Sequence, residues 1–507
     1  MHAEVNVKIY YDQEVLSVKK GTLLSEILKR DKPCGGHGKC GKCRVKACGM
    51  LSEPGQQEKD LLSPEELAEG VRLACCTSVL GDCIVDAVSK DPQGQIVTEG
   101  FMPEIPINPV FAKYGVALDI GTTTLAARLY DRKGQLLAAA SCDNPQSVYG
   151  ADVISRLEYS LKGDRMAISR CICAAIDDML CQMVQQGNVS CEDIHKMVVT
   201  GNTAMLYLLT GRHAKSLSCA PFAADHLFGE SYTAQSIGLT GILPQAEVYL
   251  PPCISTFVGA DMVCAVLASR IYENSKPALL VDMGTNGEMG MWDGKKLSVC
   301  AAAAGPAFEG GNISTGMRGS DGAIDAVLWD GTDYKVHVIG ECEAKGICGS
   351  GLIDAVSYML CAGVLEESGY LDQDPFPLHR QVSVTGKDIR MVQLAKGAIC
   401  AGICVLLETC SLEEHEISEM YVAGGFGKYL NMDSAAAIGL FPVHMTQRAS
   451  VIGNAALSGA SMLLLNDAYV KTVQTIAAKA HVVELSSNTD FVRSFTEKML
   501  LRPVFQK

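Results

Sequence analysis

The pattern that most constrains this chain is a duplicated one. "YGVALDIGTTTLAARLYD", starting at Tyr114, reads as strand, glycine turn, strand, and "PALLVDMGTNGEMGMWDG", starting at Pro277, repeats it. Asp119-Ile120-Gly121-Thr122 therefore matches Asp282-Met283-Gly284-Thr285. Three further pairs follow: "GADVISRL" with "GSGLIDAV", "VVTGNTAM" with "YVAGGFGKYL", and "FVGADMVCAVLA" with "VIGNAALSGASMLL". One such turn means little, but four paired glycine motifs in one order predict two similar α/β lobes around a cleft.

The chemistry of the turns suggests what the cleft holds. Glycine lets backbone come close to a phosphate, and threonine hydroxyls and backbone N–H groups donate to it. The candidates are Gly121, Thr122, Thr123 and Thr124 on one side, and Gly284, Thr285, Asn286 and Gly287 on the other. Asp119 and Asp282, at strand ends, can hold Mg²⁺ through water and orient an attacking water. Asp261 of "VGADM" is expected at a helix start, lining the cleft. Gly424, Gly425 and Gly427 of "AGGFG" would let a nucleotide lie against backbone. "GPAFEGGNISTGMRG" is expected to loop over the cleft, with Glu309 and Arg318 unassigned. The arrangement resembles the superfamily of actin, sugar kinases and heat-shock ATPase chaperones. The resemblance implies an actin-like (ribonuclease H-like) two-lobed ATPase that uses ATP with Mg²⁺ and closes its lobes with nucleotide state.

At 507 residues the chain is too long for one domain. The expected division is residues 1–88, a linker over 89–113, lobe 1 over 114–275 and lobe 2 over 276–507. Twenty-two cysteines in a chain with no signal-like N-terminus read as reduced thiols and metal ligands rather than disulfides. Cys171, Cys173, Cys400 and Cys404 sit in helical runs as small core residues.

The first 88 residues concentrate ligand chemistry. Two strands meet around Asp12-Gln13, and a short helix "TLLSEILKR" follows with Thr22 as its expected cap. After the thiol loop come a helix "SPEELAEG" and a strand "DCIVDAV". In "PCGGHGKCGKCRV", five residues separate Cys34 from Cys40 and two separate Cys40 from Cys43. "RLACCT" supplies a distal ligand, Cys75, with Cys76 open as the alternative. The plant-type [2Fe–2S] signature is C-x4-C-x2-C…C. Here the first gap is one longer, as in adrenodoxin-like ferredoxins. Gly35, Gly36, Gly38 and Gly41 permit the loop to wrap two irons. Structural zinc is the competing assignment, but zinc ribbons show two C-x2-C knuckles and this stretch has one. An α+β ferredoxin-like (β-grasp) domain is the expectation, with Cys48 and Cys83 as bystanders.

Prolines 92, 103, 106 and 109 favour an extended linker that could leave the first domain movable. The net charge of −14 disfavours nucleic-acid or anionic-membrane partners, although "GKCGKCRVK" is locally basic. No uncharged apolar run approaches the ~18 residues of a membrane span, and a cytoplasmic protein is expected.

A downhill electron carrier needs no ATP, and a sugar kinase needs no iron–sulfur cluster; together they suggest an electron transfer that ATP makes possible. Pushing one electron ~100 mV uphill takes ~2.3 kcal/mol. The [2Fe–2S] domain, the linker and an ATPase with "NPQ…YGADVISR", "VTGNTAM" and "VAGGFGKYLN" together resemble the reductive activators of corrinoid proteins. That resemblance implies an ATP-dependent return of an oxidised Co(II) corrinoid methyl carrier to Co(I), fed by an upstream low-potential electron donor. It implies cluster ligands at Cys34, Cys40, Cys43 and Cys75, phosphate loops at 119–124 and 282–287, and nucleotide-backing Gly424, Gly425 and Gly427. It leaves a homodimer open. The rival readings are an activator of a radical dehydratase or reductase and a small-molecule kinase with a ferredoxin appendage.

Overall fold

The computed structural model describes residues 6–11, 14–28, 43–86, 101–329, 333–425, 430–486 and 488–504. Cys34, Cys40 and Gly427, and with them the loop glycines 35, 36, 38 and 41, lie outside the described residues.

The first domain is a five-stranded mixed sheet. Its strands are β1 (Asn6–Tyr11), β2 (Glu14–Lys19), β3 (Arg44–Leu51), β4 (Val71–Leu73) and β5 (Val79–Asp86), in the order β2-β1-β5-β3-β4. β1 pairs antiparallel with β2 and parallel with β5, so the first and last strands lie side by side in mid-sheet. Val7, Ile9, Leu24, Val45, Leu73, Val79 and Val85 fill its core. Thr22 does not cap the short helix Leu24–Ile27: Leu23 holds the cap position, and the Thr22 hydroxyl donates to Lys19 O at 2.8 Å. β3 and the helix Gln56–Leu61 were not anticipated, since neither shows a clean apolar period.

Residues 101–113 are packed on the two-lobed domain rather than free. Phe101 N donates to Ile452 O at 3.1 Å, Asn108 N to Leu465 O at 2.9 Å, and Asn466 Nδ2 to Pro106 O at 2.9 Å. Phe111 is buried. Prolines stiffen this stretch, but backbone acceptors on lobe 2 fix where it lies.

The two lobes share one strand plan. Lobe 1 contains β6 (Tyr114–Ile120), β7 (Thr124–Asp131), β8 (Leu136–Asp143), β9 (Ile194–Gly201), β10 (Glu230–Thr233) and β11 (Glu247–Leu250), in the order β10-β11-β9-β6-β7-β8. Lobe 2 opens with β12 (Ala278–Met283), β13 (Gly287–Trp292) and β14 (Leu297–Ala302). A small sheet of β15 (Ala323–Trp329), β16 (Tyr334–Val338) and β17 (Gly346–Ile347) follows, then a hairpin of β18 (Phe376–His379) and β19 (Val382–Val384). β20 (Glu419–Ala423), β21 (Ala449–Gly453) and β22 (His481–Val482) complete the main sheet as β21-β20-β12-β13-β14-β22. In each lobe an antiparallel meander (β6-β7-β8, β12-β13-β14) carries two parallel strands on its first member. β6 is buried along most of its length because it is central and covered on both faces.

Between the lobes, helix Ala260–Ser269 packs on helix Ala455–Leu465. Both are apolar all round, as a helix covered on every side must be. Helix Gly386–Cys410 is long and apolar enough to cross a bilayer, but 83% of its apolar window is buried inside the structure. Cys173, Cys400 and Cys404 are buried in such helices.

The helix crossing between the lobes tolerates no side chain at Gly459, where a Cβ would stand 2.0 Å from Cys264 O. Gly459→Ala is expected to destabilise the two-lobed domain by about 1–3 kcal/mol, the usual range for overpacking. The measurement is a drop of several degrees in its calorimetric melting transition.

Candidate functional site

The two Asp-x-Gly-Thr turns face each other across one cleft of about 790 Å³. Asp119 and Asp282 are the next-to-last residues of β6 and β12, one position before Ile120 and Met283, which places them at the edge of the cleft where each sheet stops. Gly121 N donates to Thr124 O at 2.8 Å and Gly284 N to Asn286 O at 3.3 Å, closing the turns. The cleft is lined by Asp119, Gly121, Thr122, Thr123, Thr124, Asp261, Asp282, Gly284, Thr285, Asn286, Gly424 and Gly425. Gly287 starts β13 behind its turn and is not among the lining residues. Gly424 has φ +119, and a Cβ there would lie 2.5 Å from Met283 O, so only glycine fits between strand end and phosphate turn.

Several lining residues had not been assigned. Asn202 caps helix Thr203–Thr210 and donates to Thr122 Oγ1 at 3.2 Å. Asn454 caps helix Ala455–Leu465 in lobe 2 and donates across the cleft to Asp119 Oδ2 at 3.0 Å. Both asparagines directly follow a strand-ending glycine, so the repeated "GN" was a readable signal. Glu309 accepts from Thr123 Oγ1 at 2.8 Å and from Thr285 Oγ1 at 3.1 Å. Arg318 pairs with Asp143 and donates to Thr123 O at 3.3 Å. Glu288 stands opposite Asp282 in the β12/β13 register and has no counterpart in lobe 1, where Ala126 faces Asp119.

These carboxylates crowd one another. Desolvation pushes the Asp119 carboxyl up to about 6, and desolvation together with the charges of Asp119 and Glu309 pushes Asp282 up to about 7. Asp261, in the first turn of its helix, and the buried Glu288 are a tightly coupled pair. Both are held well above the usual carboxylate range, first by desolvation and then by neighbouring charge. All-oxygen donors of this kind suit a hard cation. Among the described residues no three His, Cys, Asp or Glu side chains converge as a ligand set. Water and phosphate oxygens would therefore complete the shell of Mg²⁺, which commonly binds in that way.

In the first domain Cys43 and Cys75 are both buried, with sulfurs 3.3 Å apart. Two sulfurs on one tetrahedral metal stand roughly 3.8 Å apart at ~2.3 Å bonds, so this pair would have to open by roughly half an ångström to share one metal. Cys76 Sγ lies 3.6 Å from Cys75 Sγ and 3.6 Å from Gln57 Oε1, and is partly exposed. The turn carrying Cys75 is stapled by Glu58. Its carboxylate accepts from Arg72 Nε at 3.0 Å, Leu73 N at 3.0 Å and Thr77 Oγ1 at 3.1 Å. Burial pushes the Glu58 carboxyl up, but these donors win and hold it below its ordinary value.

The same regions carry the likeness to known proteins. A family model described as "RACo middle region" matches residues 114–274, and one described as "C-terminal domain of RACo the ASKHA domain" matches 276–505. The chain is 32% identical over 419 residues to the corrinoid activation enzyme RamQ of Eubacterium limosum, covering 75% of this chain and 69% of the relative. It is 27% identical over 422 residues to the [Co(II) methylated amine-specific corrinoid protein] reductase of Methanosarcina barkeri, covering 74% and 75%. The solved structure of a reductive activator for corrinoid, iron-sulfur protein superposes with a TM-score of 0.74 at 27% identity, covering 98% of each chain.

Two outcomes are expected. Asp119 and Asp282 titrate higher in the fold than their ordinary 3.8, so the stability they allow is complete below about pH 4 and is lost as pH rises through about 6 to 7. Melting temperature measured without divalent cation should therefore fall from pH 5 to pH 8, and Asp261→Asn, which removes one of the crowded charges, should flatten that fall. Glu58→Ala strands the buried Arg72 and should cost about 3–5 kcal/mol, read as early unfolding of the first domain in a denaturant titration.

Proposed function

The chain belongs to the RACo family, the reductive activators of corrinoid proteins, and on that premise we propose that it returns a corrinoid protein from Co(II) to Co(I) in an ATP-dependent one-electron step. The observation that carries the reading is one chain with two halves. A buried thiol pair, Cys43 and Cys75, stands within roughly half an ångström of the spacing that one metal needs, and paired phosphate turns face across a carboxylate-lined cleft.

The roles follow from the geometry. Threonine hydroxyls and backbone N–H groups of 121–124 and 284–287 hold the phosphates of ATP. Gly424 and Gly425 lie against the nucleotide where any side chain would obstruct it, and Gly427 continues that stretch. Asp119 and Asp282 would hold Mg²⁺ through water and orient the attacking water, with Asp261 as a third acid whose like charge adds to the demand for a cation. The cation neutralises charge that these carboxylates and the phosphates cannot tolerate together.

Cys34 and Cys40 join Cys43 and Cys75 as ligands. Cys75 is favoured over Cys76 because it is the buried member and the one 3.3 Å from Cys43. A [2Fe–2S] cluster held by these four thiols would supply a one-electron carrier between an upstream low-potential donor and Co(II). The protein's own contribution is differential binding: ATP favours one lobe arrangement, and that arrangement must bind the corrinoid partner better in one redox state than the other.

Reduced mediator, MgATP and a Co(II) corrinoid protein are expected to produce the Co(I) absorption band with the intact protein. The band should be absent without ATP and absent with Cys43→Ser. A Cys43→Ser protein that still produced the band would remove the electron-transfer role, and ATP-independent production would remove the nucleotide role.

A further inference from the structure

Glu309 links the two lobes through one carboxylate. Its Oε2 accepts from Thr123 of the lobe 1 turn at 2.8 Å, and its Oε1 accepts from Thr285 of the lobe 2 turn at 3.1 Å. These hydroxyls belong to the turns that grip phosphate in the reading given above.

The backbone beneath Glu309 is locked. Glu309 N donates to Pro306 O at 3.0 Å, Gly311 N to Pro306 O at 2.8 Å, and Gly305 N to Thr285 O at 2.9 Å, tying this loop to the second phosphate turn. Gly310 takes φ +75, and a Cβ there would stand 2.4 Å from Met317 O. Phe308 is buried, and its carbonyl lies 1.9 Å from where a Cβ on Gly349 would stand, so the loop seats against the start of helix Gly349–Cys361 without slack. Arg318, further along the same loop, donates to Thr123 O at 3.3 Å and pairs with Asp143 of lobe 1. Lobe 2 therefore reaches Thr123 twice, once at its hydroxyl and once at its carbonyl.

A phosphate and a carboxylate are both acceptor-only anions, and each threonine hydroxyl has one proton to donate. Glu309 and the terminal phosphate of ATP therefore cannot both take the Thr123 and Thr285 protons, and their like charges repel. We propose that Glu309 is an internal stand-in for the terminal phosphate: it clasps the two phosphate turns when no triphosphate is bound, and surrenders both hydroxyls when one enters. It is a positioning residue that makes the cleft read the third phosphate, separating ATP from ADP. This inference rests on the nucleotide reading and deepens it.

The test titrates the full-length protein, by calorimetry, with the Mg²⁺ complexes of a non-hydrolysable β,γ-imido ATP analogue and of ADP. Wild type is compared with Glu309→Ala and with Glu309→Gln, which keeps an acceptor oxygen but no charge. Glu309→Ala should bind the triphosphate about tenfold more tightly, equal to ~1.4 kcal/mol, with a smaller change for ADP and Glu309→Gln between. Without nucleotide, the amides of 121–124 and 284–287 should exchange hydrogen faster in Glu309→Ala. Weaker triphosphate binding in both variants would make the carboxylate a supporting ligand rather than a competitor and overturn the proposal. Equal gains for ATP and ADP analogues would overturn the terminal-phosphate assignment. Unchanged exchange alongside normal wild-type binding overturns the clasp alone, whereas a wild type that binds neither nucleotide overturns the nucleotide reading and this inference with it.

Discussion

The close crossing of helices Ala260–Ser269 and Ala455–Leu465 is the contact on which the cleft depends. With backbone as near as Gly459 and Cys264 allow, the two helices pack tightly between the sheets, and their N-termini open onto the same space. One delivers Asp261 and the other Asn454, which crosses from lobe 2 to bond Asp119 in lobe 1. Arg128 and Tyr130 of β7 reach Ser458 and Ser461 on the second helix, so polar contacts accompany the apolar crossing.

The second theme is concentrated like charge. Asp119, Asp261, Asp282, Glu288 and Glu309 share one cleft; burial lifts all five above the ordinary carboxylate range, and neighbouring charge adds to it at Asp261, Asp282 and Glu288. This is a cost to the fold that a bound divalent cation would relieve. The hydroxyls around the cleft are already engaged, Thr122 by Asn202 and Thr123 and Thr285 by Glu309, so the turns are pre-shaped.

The first domain solves a different problem with the same economy. A ligand turn must hold thiols close together without collapsing onto itself. Glu58 anchors both ends of residues 72–77 at once, and so fixes the turn from which Cys75 and Cys76 project.

The duplicated strand–turn–strand pattern was enough to establish an actin-like pair of lobes, because the order of glycine turns reflects the order of sheet strands and survives insertions. The spacing of thiols likewise pointed to a ferredoxin-like sheet, since ligand geometry is written in local sequence. Glu309, Glu288 and the cross-cleft bond of Asn454 were not legible in that way. Glu309 and Thr123 are 186 residues apart, and Asn454 and Asp119 are 335 apart. No local period or motif encodes such a meeting. The packing of residues 101–113 was equally hidden, because proline composition sets stiffness but not the surface a segment lies on. Local sequence singled out the glycine turns and the thiols proposed for phosphate and metal. Only the tertiary fold, by forcing two lobes to share one buried helix crossing, decided which acid faces which hydroxyl.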